Sequence, residues 1–267
     1  MDARVRVAAI IPARMASSRL PGKPLLEVHG LPMTEHVRRR ALLCRRFSEV
    51  VVATCDQEIA QVIQQYGGRV LMTSSTHAAA TDRVAEAMQQ LVCTHVVNVQ
   101  GDEILVLPGD LERFVRAVEQ EPHVPAWNAL ARIEEPSELS DLAVVKCAVS
   151  ESGRILFCSR DFSRMPLLPD GRFNPIRKVL GILGYRREFL DQYGRLVRTP
   201  LERAEGIDQS RIVEHDVMLR GVEFTKGYPG LNEPREVTLV AHYLESDPVQ
   251  QKVLQEVLGA WPAHSSM

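Results

Sequence analysis

The sequence predicts an α/β protein, a mostly parallel central sheet flanked by helices with a smaller β-rich lobe. Two observations carry that expectation. Through the first 125 residues, short apolar runs alternate with segments of helical periodicity, as strands joined by right-handed crossovers do. From about Ala126 this rhythm gives way to paired apolar runs and turn residues. At 267 residues, 45% hydrophobic and 25% charged, the chain has the length and composition to bury a substantial core.

Each element follows from its own signal. Residues 5–11 are an apolar run and read as the first strand. Residues 34–46 set Val37, Ala41 and Cys44 on one helical face. Residues 49–54 form a second strand, and Ile59, Val62, Ile63 and Tyr66 mark the next helix, which Gly67-Gly68 ends as a C-cap. A third strand at 69–72 precedes a helix at 81–92 with Val84, Ala87, Met88 and Leu91 inward, and Thr81 suits its N-cap. A fourth strand at 95–99 leads to a helix marked by Leu111, Phe114, Val115 and Val118. Runs 144–149 and 154–158, parted by Ser150-Glu151-Ser152-Gly153, predict a hairpin. Segment 165–175 holds Pro166, Pro169, Gly171 and Pro175 and reads either as a disordered connection or as a lid. An apolar run at 179–185 precedes helices at 187–197, 199–214, 233–245 and 248–259. The expected organisation is an α/β part at 1–125, a smaller β-rich lobe at 126–198 that also suits a subunit interface, a return to the α/β core at 199–260, and a flexible tail at 261–267.

Bulk properties exclude several classes. A net charge of −2 argues against broad electrostatic binding to nucleic acid. Five cysteines, an odd number without C-x-x-C spacing, predict a reduced, cytoplasmic compartment. No apolar run reaches about 18 residues, and Arg4 and Arg6 interrupt the start of the chain, so neither membrane insertion nor export is expected. The eight histidines show no metal-ligand spacing and no Ser or Cys partner suited to acyl chemistry.

Three polar clusters fall at strand ends, where open parallel sheets bind ligands. The first is the loop from Ile11 to Pro24, with Arg14, Arg19, Lys23, two serines and Gly22. Backbone N–H groups and cations crowded into one loop suit a polyanion, most simply a nucleoside triphosphate; the plain alternative is a solvated basic loop. It is not a Walker A loop, because Pro24 follows Lys23 and position 17 is Ser rather than Gly. The second cluster runs from His77 to Arg83 and the third from Asn98 to Glu103. Asp102 can approach a Mg²⁺ held between phosphate oxygens, or belong to a simple Gly-Asp-Glu turn. Gln100 offers an amide to a base or sugar, or caps a strand end. Arg83 is either a surface charge or a base or phosphate contact. Arg160 can hold a carboxylate bidentately or pair on the surface. Glu202, Glu205 and Gln209 fall at helical spacings and share one face, suited to gripping hydroxyls or to facing solvent.

These motifs resemble those of the 3-deoxy-manno-octulosonate (Kdo) cytidylyltransferases, or CMP-Kdo synthetases. The resemblance runs through Pro12-Ala13-Arg14, Ser18-Arg19-Leu20-Pro21-Gly22-Lys23-Pro24, Thr81-Asp82-Arg83 and Val97 to Glu103. It continues more loosely through Val144-Val145-Lys146, Ser159-Arg160, Gly181, Tyr185-Arg186, Pro200-Leu201-Glu202, Asp208-Gln209 and Gly230 to Pro234, and so covers residues 5–245. It implies a Rossmann-like nucleotidyltransferase fold and a reaction in which a sugar hydroxyl attacks the α-phosphate of CTP, giving a CMP-sugar and pyrophosphate. It further implies triphosphate binding by Arg14, Arg19 and Lys23, with Ala13 and Ser18 in the same loop and cytosine recognition by Arg83. Mg²⁺ would be held by Asp102 and the position of Asn232. Gln100, Arg160, Tyr185, Glu202 and Gln209 would face nucleotide or acceptor, in a cytoplasmic homodimer joined through the smaller lobe.

Three departures stand out. Val179 replaces a histidine of the family pattern, Asn232 replaces an aspartate, and Ala79-Ala80 replaces Ser-Gly. The expected acceptor is accordingly an acidic sugar, either Kdo or a related 3-deoxy or amino sugar acid. A phosphonate acceptor and a non-catalytic CTP-binding homologue are the alternatives. A nucleotide-sugar glycosyltransferase is disfavoured by the lack of Asp-x-Asp.

Overall fold

The computed structural model describes residues 4–16, 20–77, 79–165 and 175–259. In chain order the elements are β1 (Val7–Ala13), a short 3₁₀ turn (Lys23–Leu25), β2 (Glu27–Val28), β3 (Leu31–Pro32), α1 (Met33–Leu43), β4 (Glu49–Thr54), α2 (Gln57–Gln65), β5 (Val70–Met72), α3 (Ala80–Met88), β6 (His95–Val99) and α4 (Pro108–Gln120). There follow β7 (Ala126–Arg132), a second 3₁₀ turn (Pro136–Leu139), β8 (Lys146–Val149), β9 (Ile155–Ser159), β10 (Ile176–Arg186), α5 (Arg187–Tyr193), α6 (Pro200–Glu205), α7 (Asp208–Glu214), β11 (Leu219–Glu223), α8 (Pro234–Ser246) and α9 (Pro248–Gly259). Among the described residues, no helix is long and apolar enough to cross a membrane.

The chain packs as two units. The first comprises Arg6–Val92, Asn98–Glu112 and residues 228–259. Its strands β1, β4 and β5 lie side by side in that order, and both β1–β4 and β4–β5 are parallel. All seven residues of β1 are buried, which is why it reads as a continuous apolar run rather than an alternating one. Helices α1, α2 and α3 bury the stripes that the sequence predicts, including Val37, Ala41, Ile59, Ile63, Val84, Ala87 and Met88. Leu31, Val253 and Val257 join in a satellite cluster that seats α9. Thr81 does not cap its helix. Ala79 holds the N-cap position, without a side-chain hydrogen bond, and Thr81 is buried inside α3.

The second unit comprises Cys93–Val97 and Arg113–Gly227, together with residues 4–5. Here β7 lies between β11, to which it is parallel, and β10, to which it is antiparallel. The predicted hairpin is present as β8–β9, and β8 also pairs antiparallel with β10. Between Val179 and Leu183 the β10 register slips against β7, and Asn128 Nδ2 donates to the Leu180 carbonyl (2.9 Å) inside that irregularity. The core includes Trp127, with Phe114 set edge-on to Phe224 at 6.2 Å. One helix predicted over 199–214 is two, because Gly206 adopts a left-handed φ of 65° and ends α6. Glu202 and Glu205 therefore belong to α6 and Gln209 to α7.

Candidate functional site

The strand ends of the first unit converge on one cleft of about 240 Å³. Its lining includes Ala13, Arg14, Lys23, Arg83, Gln100, Asp102 and Asn232, so these predicted positions come together. Ser18 and Arg19 lie outside the described residues, as does the interior of the Pro-rich segment 165–175 and the tail 261–267.

Two backbone features bring the loop after β1 and the loop after β6 against each other. Gly22 sits at φ 70°, a conformation that costs glycine little, and turns the chain into the Lys23–Leu25 3₁₀ turn. Gly101 packs so closely on β1 that a Cβ there would stand 3.1 Å from the Pro12 carbonyl oxygen. The loop after β1 is held further by the Met15 N–H, which donates to Asp56 Oδ2 at 2.8 Å, beyond the end of β4. The Leu231 N–H in turn donates to the Asp102 carbonyl (3.0 Å), drawing the segment before α8 to the same place.

The result is a compact charge arrangement. Lys23 Nζ donates to Asp102 Oδ2 at 3.3 Å and to Asn232 Oδ1 at 3.4 Å, in partly buried surroundings. Arg14 is exposed at the mouth, whereas Arg83 is 3% exposed. Arg83 is thus no surface charge. Its guanidinium donates to Thr73 Oγ1, beyond β5, and to Cys55 Sγ at 3.4 Å, beyond β4. His77 and its partner Glu86 stand beside it; the Ser74 N–H and then His77 hold the Glu86 carboxyl below the usual carboxylate range. Met33 and Thr34, at the start of α1, form another wall, with Thr34 Oγ1 donating to the Pro24 carbonyl (2.9 Å).

Sequence reasoning did not single out Thr34, or Thr73, Cys55 and Asp56 as supports. Parallel register brings Cys55, Asp56 and Thr73 beside residues from other strand ends, the packing of α1 on the Lys23–Leu25 turn places Thr34, and no local motif marks any of them.

The remaining predicted positions lie in the second unit and correct the reading in part. Glu202 is fully buried rather than ligand-facing. Its carboxylate is bound by Arg211 (Nε at 2.8 Å) and by Arg198 Nε at 2.9 Å. Burial alone would raise its pKa, but Arg211 and then Arg198 outweigh it and hold the carboxyl below the usual range. Tyr185 is also buried, its ring among those of Phe189 and Tyr193, so it is a core aromatic. Gln209 Nε2 donates to Asn128 Oδ1 at 2.8 Å. Arg160 Nε donates to the Glu205 carbonyl and its Nη1 to the Leu142 carbonyl, both at 2.8 Å, tying β9 to α6.

The donor set beside Lys23 consists of hard oxygens, one anionic and one amide. Among the described residues no group of three or more His, Cys, Asp or Glu side chains is placed to hold a metal ion by itself. Such a set suits a cation that arrives with phosphate oxygens of its own.

Known proteins share this arrangement of chain. A family model described as cytidylyltransferase matches residues 8–221. The 3-deoxy-manno-octulosonate cytidylyltransferase of Geobacter metallireducens is 36% identical over 253 residues, covering 90% of this chain and 98% of that protein. The 8-amino-3,8-dideoxy-manno-octulosonate cytidylyltransferase of Shewanella piezotolerans is 34% identical over 247 residues, covering 91% and 100%. A solved structure of CMP:2-keto-3-deoxy-manno-octonic acid synthetase complexed with CTP matches with a TM-score of 0.84 at 33% identity, covering 91% of this chain and 99% of that one. A strand-end cleft built on this fold, and similarity along nearly the whole length of these relatives, place the chain in the cytidylyltransferase family, among the CMP-Kdo synthetases.

Proposed function

We propose that the protein transfers CMP from CTP to an acidic sugar, 3-deoxy-manno-octulosonate or a related 3-deoxy or amino sugar acid, and releases pyrophosphate. The observation that carries the reading is the meeting of Lys23, Asp102 and Asn232 in one cleft with Arg14, Arg83 and Gln100. The activities named for the relatives supply the reaction class. An attack by a sugar hydroxyl on the α-phosphate needs positioning and charge neutralisation, not a covalent nucleophile. Lys23, Arg14 and Arg19 hold the triphosphate. Arg83, pinned at its guanidinium, presents a fixed donor edge to the base, and Gln100 presents its amide to the bound ligand.

Asp102 and Asn232 would hold Mg²⁺, which neutralises charge on the triphosphate when bound with it. Asn232 brings no charge, so the protein's anionic contribution rests on Asp102. We further propose a cytoplasmic homodimer. Free thiols at all five cysteines support a reducing compartment, and the exposed Leu156 and Phe157 on β9 support a subunit contact through the β-rich lobe.

The test is pyrophosphate release, measured across the four nucleoside triphosphates with a panel of 3-deoxy and amino sugar acids and phosphonates. CTP-dependent release with a sugar acid is expected; CTP binding without release from any acceptor would overturn the assignment. Asp102→Ala is expected to lower kcat by about 100-fold or more, the scale of losing one charge-stabilising group. Near-normal turnover would remove Asp102 from its role.

A further inference from the structure

We infer that Cys147 and Cys158 form a redox-active dithiol that closes to an intrachain disulfide by exchange with a small disulfide such as oxidised glutathione. The two residues are directly opposite each other in the antiparallel β8–β9 ladder. Which kind of opposed pair they form follows from the neighbouring strand. The Val179 N–H donates to the Val145 carbonyl (2.9 Å) and the Val149 N–H to the Pro175 carbonyl (3.2 Å), so odd-numbered residues of this stretch turn their backbone groups toward β10. The Ser150 N–H donates instead to the Arg154 carbonyl (2.9 Å), so even-numbered residues face β9. Cys147 and Cys158 are therefore a non-hydrogen-bonded pair, for which the Cα separation is about 4.5 Å and the side chains approach most closely. That separation lies within the range of roughly 4.4–6.8 Å found across disulfides.

The surroundings hold the pair in place. Both cysteines are buried, and Lys146, one residue before Cys147, donates from Nζ to the Arg160 carbonyl, two residues after Cys158. The same ammonium also donates to the Asp141 and Val144 carbonyls, each at 2.8 Å, fixing the hairpin beside the thiols. Burial, and for Cys147 also the adjacent Cys158, raises both thiol pKa values, that of Cys158 to about 12. Both sulfurs are thus protonated thiols at neutral pH, and exchange, which needs the thiolate, is slow there and accelerates with alkalinity. In the exchange one cysteine thiolate attacks the small disulfide, expelling one thiolate, and the second cysteine displaces the other. The two protons pass to the leaving thiolates. Two protein S–H bonds and one S–S bond become one protein S–S bond and two S–H bonds, the protein losing two electrons.

The experiment equilibrates the full chain in glutathione buffers from reducing to oxidising poise, natively and during refolding from urea, then alkylates free thiols and digests with trypsin. Cleavage after Lys146, Arg154 and Arg160 puts the two cysteines on separate peptides, 147–154 and 155–160. The expected result is a dithiothreitol-reversible link between these peptides with loss of two alkylatable thiols, absent from Cys147→Ala and from Cys158→Ala. Full alkylation of both cysteines after both treatments, or links that join other cysteines instead, would overturn the inference. The readout is covalent, so it stands or falls independently of the cytidylyltransferase assignment.

Discussion

His36 makes the stability of the cleft wall dependent on pH in a way that can be worked through. It is fully buried in α1, the helix whose first residues, Met33 and Thr34, line the cleft. Its Nε2 lies 2.6 Å from the Val28 carbonyl oxygen, so Nε2 carries the hydrogen, while buried Nδ1 has no hydrogen-bond partner. Protonating Nδ1 places a charge in an apolar site beside Arg40 and Arg39. Burial foremost lowers the pKa from 6.5 to about 4, against the opposing pull of the Val28 bond. The folded value lies below the unfolded one, so between those values the unfolded chain binds more protons and stability falls with acidity. The contribution is complete above pH 6.5 and is lost progressively toward pH 4. At about 1.4 kcal/mol per pH unit, that interval corresponds to about 3 kcal/mol. Urea denaturation at half-unit steps from pH 7 to 3 compares the wild type with His36→Gln, whose amide can still donate to Val28. The wild type is expected to lose stability more steeply across this window, with the difference flattening below pH 4. Parallel profiles for the two proteins would refute the reasoning.

Other predictions follow from the same structure. Glu202→Ala leaves Arg211 without its buried carboxylate and is expected to cost about 3–5 kcal/mol in urea denaturation; a cost near zero would mean that the pair is not buried as described. Gly101→Ala forces a few tenths of an ångström between the Asp102 loop and the Pro12 carbonyl. Its kcat/KM for CTP should fall on the order of 10-fold with an unchanged circular dichroism spectrum, and unaltered kinetics would dismiss the close approach as irrelevant. Asn232→Asp adds a second carboxylate beside Asp102, so calorimetric titration with Mn²⁺ should show affinity rising by about 10-fold without nucleotide. Combined with Val179→His it should shift acceptor preference toward 3-deoxy-manno-octulosonate, and an unchanged acceptor profile would detach both positions from specificity.

The strands and helices of the first 120 residues, and α9, were legible because burial there imposes a simple periodicity. β4, β6 and α9 occupy the residues expected, and the apolar stripes of α1 to α4 face inward. β7 and β11 were not legible as strands. β7 carries Asn128 within its buried stretch and β11 is half-polar, so neither shows clean alternation. The break between α6 and α7 depends on the left-handed conformation of Gly206, which its neighbours in sequence do not demand.

For the site, the sequence by itself determined which residues follow each strand and hence which groups can meet at a strand-end cleft. Lys23, Arg83, Gln100 and Asp102 could be named from that rule alone. Only the tertiary structure decided the state of each charge. Arg83 is pinned to Thr73 and Cys55, Lys23 sits between Asp102 and Asn232, and Glu202 is sealed against Arg211 and Arg198. The physical reason is that periodicity reports burial of apolar surface, which is a local property of the chain. The role of a polar side chain depends on the partner that compensates its desolvation, and strand register and helix packing bring that partner from far along the sequence.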